Sequence, residues 1–99
     1  MLFRSRLVAQ VKNLTAKQAG DSVELSWDAA EGANAYVILS KSGSADSAFR
    51  SSVQVKNTFY SDDPGKGVHF YWVYAVYAND EGRIFAAGKT SQYAWAMVQ

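Results

Sequence analysis

Apolar and polar residues alternate with a period of two along several short stretches of this chain. The clearest is the run in which Val23, Leu25 and Trp27 interleave with Ser22, Glu24 and Ser26. A two-residue period sends successive side chains to opposite faces of a strand. Gly20-Asp21 before this run and Asp28-Ala-Ala-Glu-Gly32 after it supply turn chemistry. Further strands are predicted at residues 36–40, 49–55, 58–61, 69–78, 83–87 and 91–98, preceded by an early one at 8–16. Polar or glycine-bearing segments divide them, the strongest being Asp62-Asp-Pro-Gly-Lys-Gly67 and Asn79-Asp-Glu-Gly82. The serine-rich segment 41–47 reads as a loop. Fifteen alanines pull toward helix, but they are scattered and sustain no 3.6-residue period. About seven short strands, with turn signals roughly every 8–12 residues, predict an antiparallel sandwich.

One stretch is more specific. Leu25-Ser-Trp-Asp-Ala-Ala-Glu-Gly-Ala-Asn-Ala-Tyr-Val-Ile38 resembles the B strand, turn and C strand of a fibronectin type III domain. Asn13-Leu-Thr-Ala16 is similar to that family's A-strand opening. Tyr71-Trp-Val-Tyr-Ala-Val76 followed by Asn79-Asp-Glu-Gly82 resembles its F strand and F–G turn, and Gly88-Lys-Thr-Ser91 the lead-in to its last strand. The resemblance spans residues 8–98 and is nearest to bacterial and phage versions of the module. It implies an all-β, seven-stranded antiparallel Greek-key sandwich, fibronectin type III-like and hence Ig-like, over residues 8–99. Residues 1–7, where Arg4 and Arg6 alternate with Phe3, Ser5 and Leu7, form either an N-terminal arm or a frayed tail. Two positions depart from the family pattern. His69 stands where a tyrosine usually ties the E–F corner, six residues before Ala75, and Asp62 replaces a leucine two residues before Pro64-Gly65. The expectation is a corner built differently, with His69 hydrogen-bonding the backbone in place of the phenol.

Residue parity then divides the side chains between core and surface. Under the resemblance, Val23, Leu25, Trp27, Tyr36, Ile38, Tyr71, Val73 and Ala75 point inward, joined by Ala94, Ala96 and Val98. A solvated sheet face should be polar. Ser22, Glu24 and Ser26 satisfy that rule on the first sheet. On the strands resembling C, F and G it fails, because Val37, Leu39, Phe70, Trp72, Tyr74, Val76, Tyr93, Trp95 and Met97 all take the outward parity. Strands about 4.8 Å apart would join these into one apolar patch, larger than monomers usually leave exposed.

Composition narrows the chemistry. The 99 residues allow one domain, and an apolar share of 48% is ordinary core stock until the outward set above is subtracted from it. Cysteine is absent and His69 is the single histidine, which excludes a disulfide framework, a thiol nucleophile and a multi-histidine zinc site. Ten basic against nine acidic residues give a net charge of +1, which makes no electrostatic case for nucleic acid. No apolar run is long enough for a membrane-spanning helix, and the basic N-terminus lacks the apolar core of a signal peptide. His69 as a general base loses to a structural hydrogen bond, and Asp62, Asp63, Asp28 and Asp80 lack the spacing of a calcium loop. Neither a Gly-x-Ser-x-Gly element nor a phosphate loop is present, so no cofactor, no metal and no catalytic activity are expected.

The expected function is a structural interaction module that presents its C-F-G face, through Val37, Leu39, Trp72, Tyr74, Val76, Tyr93, Trp95 and Met97, to a protein partner or to itself. Bacterial and phage members of the family serve as surface modules, virion subunits or spacers. The resemblance therefore implies a subunit of a larger surface or virion assembly, located outside the cell, on its surface or on a virion. The alternative is a carbohydrate-binding or spacer module of a secreted polysaccharide-degrading enzyme, with Trp72, Tyr74 and Trp95 stacking on sugar rings.

Overall fold

The computed structural model describes residues 7–43 and 48–99, and it is all-β. The expected arm, apart from Leu7, and residues 44–47 of the predicted loop lie outside the described residues. Eight strands follow in order: β1 (Thr15–Ala19), β2 (Ser22–Ser26), β3 (Ala35–Ser42), β4 (Ser51–Val55), β5 (Phe59–Asp62), β6 (Gly67–Ala78), β7 (Ile84–Ala87) and β8 (Ala94–Val98). All pairings are antiparallel. One sheet runs β1-β2-β5, and the other runs β4-β3-β6, with both β7 and β8 along the far side of β6.

The two final runs predicted at 83–87 and 91–98 are thus separate strands, the second starting three residues later than expected. β7 pairs with residues 76–78 of β6 and β8 with residues 67–71. Between them the Gly88 amide donates to Ala75 O and the Ser91 amide to Val73 O, each at 2.8 Å. The Val73 amide is taken by the Ser91 hydroxyl at 3.0 Å. A serine side chain thus does the work of a missing strand carbonyl for the buried Val73 amide where the ladder breaks.

The early strand also begins later than the 8–16 expected, at Thr15. Asn13 takes a left-handed backbone conformation, φ 59°, which interrupts an extended chain. Its side-chain amide donates to Asp28 Oδ2 at 2.6 Å. The lead-in is held instead by single bonds, from the Ala9 amide to Glu31 O and from the Asp28 amide to Lys12 O. It crosses directly over two glycines. A β-carbon at Gly88 would stand 2.5 Å from Ala9 O, and one at Gly32 would strike Leu7 O. Only glycine permits that approach.

The core between the sheets contains the predicted inward set. Val23, Leu25, Trp27, Tyr36, Ile38, Tyr71, Val73, Ala75, Ala96 and Val98 are buried, with Val11 from the lead-in added. Ala94, at the start of β8, is only half-buried. Trp27 meets Tyr36 edge-on, with ring centroids 5.7 Å apart. The Tyr36 hydroxyl accepts from the Ala30 amide at 3.0 Å, pinning the turn between β2 and β3 to the core. Each fully buried large side chain contributes roughly 1.5–3 kcal/mol before conformational entropy is charged.

Candidate functional site

The outer face of the second sheet is where sequence parity put an apolar patch, and its register brings those residues into rows. Leu39 pairs with Trp72, Val37 with Tyr74, and Phe70 with Trp95. Exposure along the face is uneven. Tyr93 (54%), Trp95 (56%) and Met97 (44%) stand open on and just before β8. Leu39, Phe70, Trp72 and Tyr74 are half-buried beside them.

Val37 and Val76 do not belong to an accessible site, contrary to the sequence expectation. Both lie on the expected face, yet they are 4% and 0% exposed and form a second small core with Ala35 and Ala78. Leu39 and Tyr74 pack against this cluster, and the turn between β6 and β7 reaches over the strand beside it. A bulge at Tyr77/Ala78 bends the end of β6, and the Asn34 side-chain amide clamps it, donating to Ala78 O at 2.7 Å and accepting from the Ala78 amide at 2.8 Å. The Asn79 side-chain oxygen then gathers the Glu81 and Arg83 amides. The turn leans back over the sheet until a β-carbon at Gly82 would lie 3.6 Å from the amide nitrogen of Gln54, the cross-strand neighbour of Val37. Parity assigns a face; it does not reveal which end of that face will be covered.

The open end carries a connected set of rings. Phe49 meets Trp72 edge-on at 5.9 Å, Trp72 lies 5.9 Å from Tyr93, and Tyr93 meets Phe70 at 5.6 Å. These separations suit edge-to-face and tilted contacts, which hold the rings in place. The Lys41 ammonium sits 4.4 Å above the Phe49 ring and 5.3 Å from that of Trp72, within reach of a cation–π attraction. Phe49, 54% exposed, and Lys41 were not among the expected site residues. The signal for Phe49 was an aromatic inside a polar, serine-rich segment, which local patterning absorbed into the start of a strand.

The alternatives weighed from sequence find their groups already committed. His69 is 2% exposed, with Nε2 2.8 Å from Gly65 O and Nδ1 2.8 Å from the Ser42 hydroxyl. A carbonyl only accepts, so Nε2 carries the proton and Nδ1 accepts from Ser42 in the neutral ring. The corner is therefore tied by histidine to backbone, as the departure from the family pattern led one to expect. Asp62 faces the core edge, where it accepts from the Tyr71 hydroxyl at 2.8 Å and pairs with Arg50. Burial, and then the adjacent Asp62, hold the Tyr71 hydroxyl well above its ordinary value of 10.0. Asp63 accepts from Ser22, and Asp28 from Asn13. Among the described residues no three acidic or histidine side chains gather as a metal site.

Neither a family model nor a curated protein matches this chain. Solved structures do. One is FN3tt mut, with a TM-score of 0.69 at 15% identity, covering 91% of this chain and 94% of that one. Another is an Fn3-like protein from Clostridium thermocellum, with a TM-score of 0.68 at 22% identity and coverage of 97% and 96%. The fold is that of a fibronectin type III domain. Within it, β3, β6 and the broken β7–β8 strand correspond to the C, F and G strands of the sequence resemblance. The aromatic set thus lies on the C-F-G face of this fibronectin type III sandwich.

Proposed function

We propose that this fibronectin type III-like chain is a non-catalytic interaction module that docks on protein through the open, β8 end of its C-F-G face. Domains of this fold are in general small non-catalytic modules. The supporting observation is the side-by-side exposure of Tyr93, Trp95 and Met97, backed by rings already fixed by contacts with one another. Rigid aromatic side chains lose little freedom on binding, and tryptophan and tyrosine are enriched among residues that dominate protein interfaces. The thioether of Met97 and the aliphatic Leu39 in the same patch favour a protein surface over a sugar ring.

The test is site-specific photo-cross-linking in the cells that make this chain, with benzoylphenylalanine placed at position 95 or at position 59. Phe59 is 62% exposed on the opposite sheet and serves as the control. Discrete adducts to one protein from position 95, absent from position 59, are the expected result. Equal labelling from both positions, or retention by a glycan that is lost in Trp95→Ser, would refute the reading.

A further inference from the structure

Tyr93, Trp95 and Met97 are successive outward positions along one edge of the sheet, with Trp95 in the middle. This spacing is self-complementary. Let two copies face each other with these strands antiparallel, about a twofold axis through Trp95. Trp95 then meets its own counterpart, and each Tyr93 meets Met97 of the partner subunit. A twofold interface requires such reciprocity, residue i on j and j on i. Sulfur against an aromatic ring is a favourable contact in its own right. Face-to-face sheets pack about 10 Å apart with strands within about 30° of alignment, which an antiparallel facing satisfies.

Charge and area agree. No carboxylate stands at an outward position of β3, β6 or β8, and Lys41 lies two strands away from Trp95 above the Phe49 and Trp72 rings. The outward positions of these strands therefore carry Lys41, set over its rings, as their one charge, and a net charge of +1 sets up little repulsion between copies. Aromatic side chains bury ~150–250 Å² each. With its large side chains half exposed, this face offers on the order of 500–600 Å² per copy, so a pair passes the ~1,000 Å² at which a specific interface becomes credible.

We infer that the β8 end of the C-F-G face packs against the same face of a second copy of this chain, about a twofold axis near Trp95. This rests on the protein-docking reading above and names the partner.

Sedimentation velocity across micromolar to millimolar concentration tests it. The wild type passes from monomer to dimer, and Trp95→Ser, which removes the axial contact, weakens the dimer at least ~30-fold, as loss of a central anchor does. Phe59→Ser on the other sheet leaves the dimer constant unchanged. A wild type that stays monomeric throughout overturns the second-copy inference, as does Phe59→Ser weakening the dimer as much as Trp95→Ser. A monomeric chain that is nevertheless cross-linked from position 95 to a different protein overturns the second copy alone and leaves protein docking standing.

Discussion

Replacing His69 by leucine isolates the corner that sets this sandwich apart from the tyrosine-tied pattern it resembles. Leucine has a similar volume and no polar atom, so the change removes the ring's two hydrogen bonds without opening a large cavity. Those bonds run to Gly65 O and to the Ser42 hydroxyl, both at 2.8 Å, from a side chain that is almost fully buried. Each neutral bond contributes about 1 kcal/mol net, with up to ~3 kcal/mol more for a partner left buried and unpaired. Here Gly65 is exposed and Ser42 half-buried, so both partners regain water and the added penalty is small. The expected loss is about 2 kcal/mol, a large share of the ~5–15 kcal/mol that holds a domain folded. At ~4–8 °C per kcal/mol for a chain of this size, the melting temperature falls by about 8–16 °C. Thermal unfolding followed by circular dichroism, with urea unfolding read from tryptophan fluorescence, measures it. His69→Gln separates the backbone bond from the ring, because its amide can still donate to Gly65 O. Glutamine should recover about half of the loss. A leucine variant that melts within about 2 °C of wild type, below the smallest shift the bonds imply, sinks the argument. So does a glutamine variant no more stable than leucine.

Two further outcomes follow from the same geometry. Tyr71 keeps its proton in the fold because burial and Asp62 disfavour the phenolate, while in the unfolded chain it titrates near 10.0. Its contribution is therefore present below that pH and lost as pH rises, since unfolding then releases a proton. Urea midpoints should decline more steeply above about pH 10 in wild type than in Tyr71→Phe, and parallel declines would refute the assignment. On the outer face, Val76→Ala should cost about 2 kcal/mol, because it hollows a closed cluster. Trp95→Ser on the same face should leave stability within about 0.5 kcal/mol of wild type. Comparable losses in urea unfolding would mean that the boundary between the covered and open ends is misplaced.

The chain's alternation determined most of the architecture by itself. Val23, Leu25 and Trp27, then Tyr36 and Ile38, then Tyr71, Val73 and Ala75 fell on the inward parity and are buried there. A period of two leaves no other choice once one face must be dry. The same rule placed Trp95 and Met97 outward and Ala96 and Val98 inward, as they stand in the fold, while Ala94 of the same inward set is only half-buried. What parity could not supply was long-range. Val37 and Val76 carry the same outward signal as Trp72, and they are distinguished by what packs around them, Leu39 and Tyr74 against the cluster and the β6–β7 turn over the neighbouring Gln54. Phe49 joins the patch because its ring reaches Trp72, more than 20 positions along the chain and two strands across the sheet. The gap between the runs at 83–87 and 91–98 was legible, but its closure by the Ser91 hydroxyl on the Val73 amide was not. Period and turn chemistry act on neighbours in the chain, and they fixed the strands and their faces. Cover, the closure of the β7–β8 gap and ring contact depend on which segments meet across the fold, and only tertiary packing decides that.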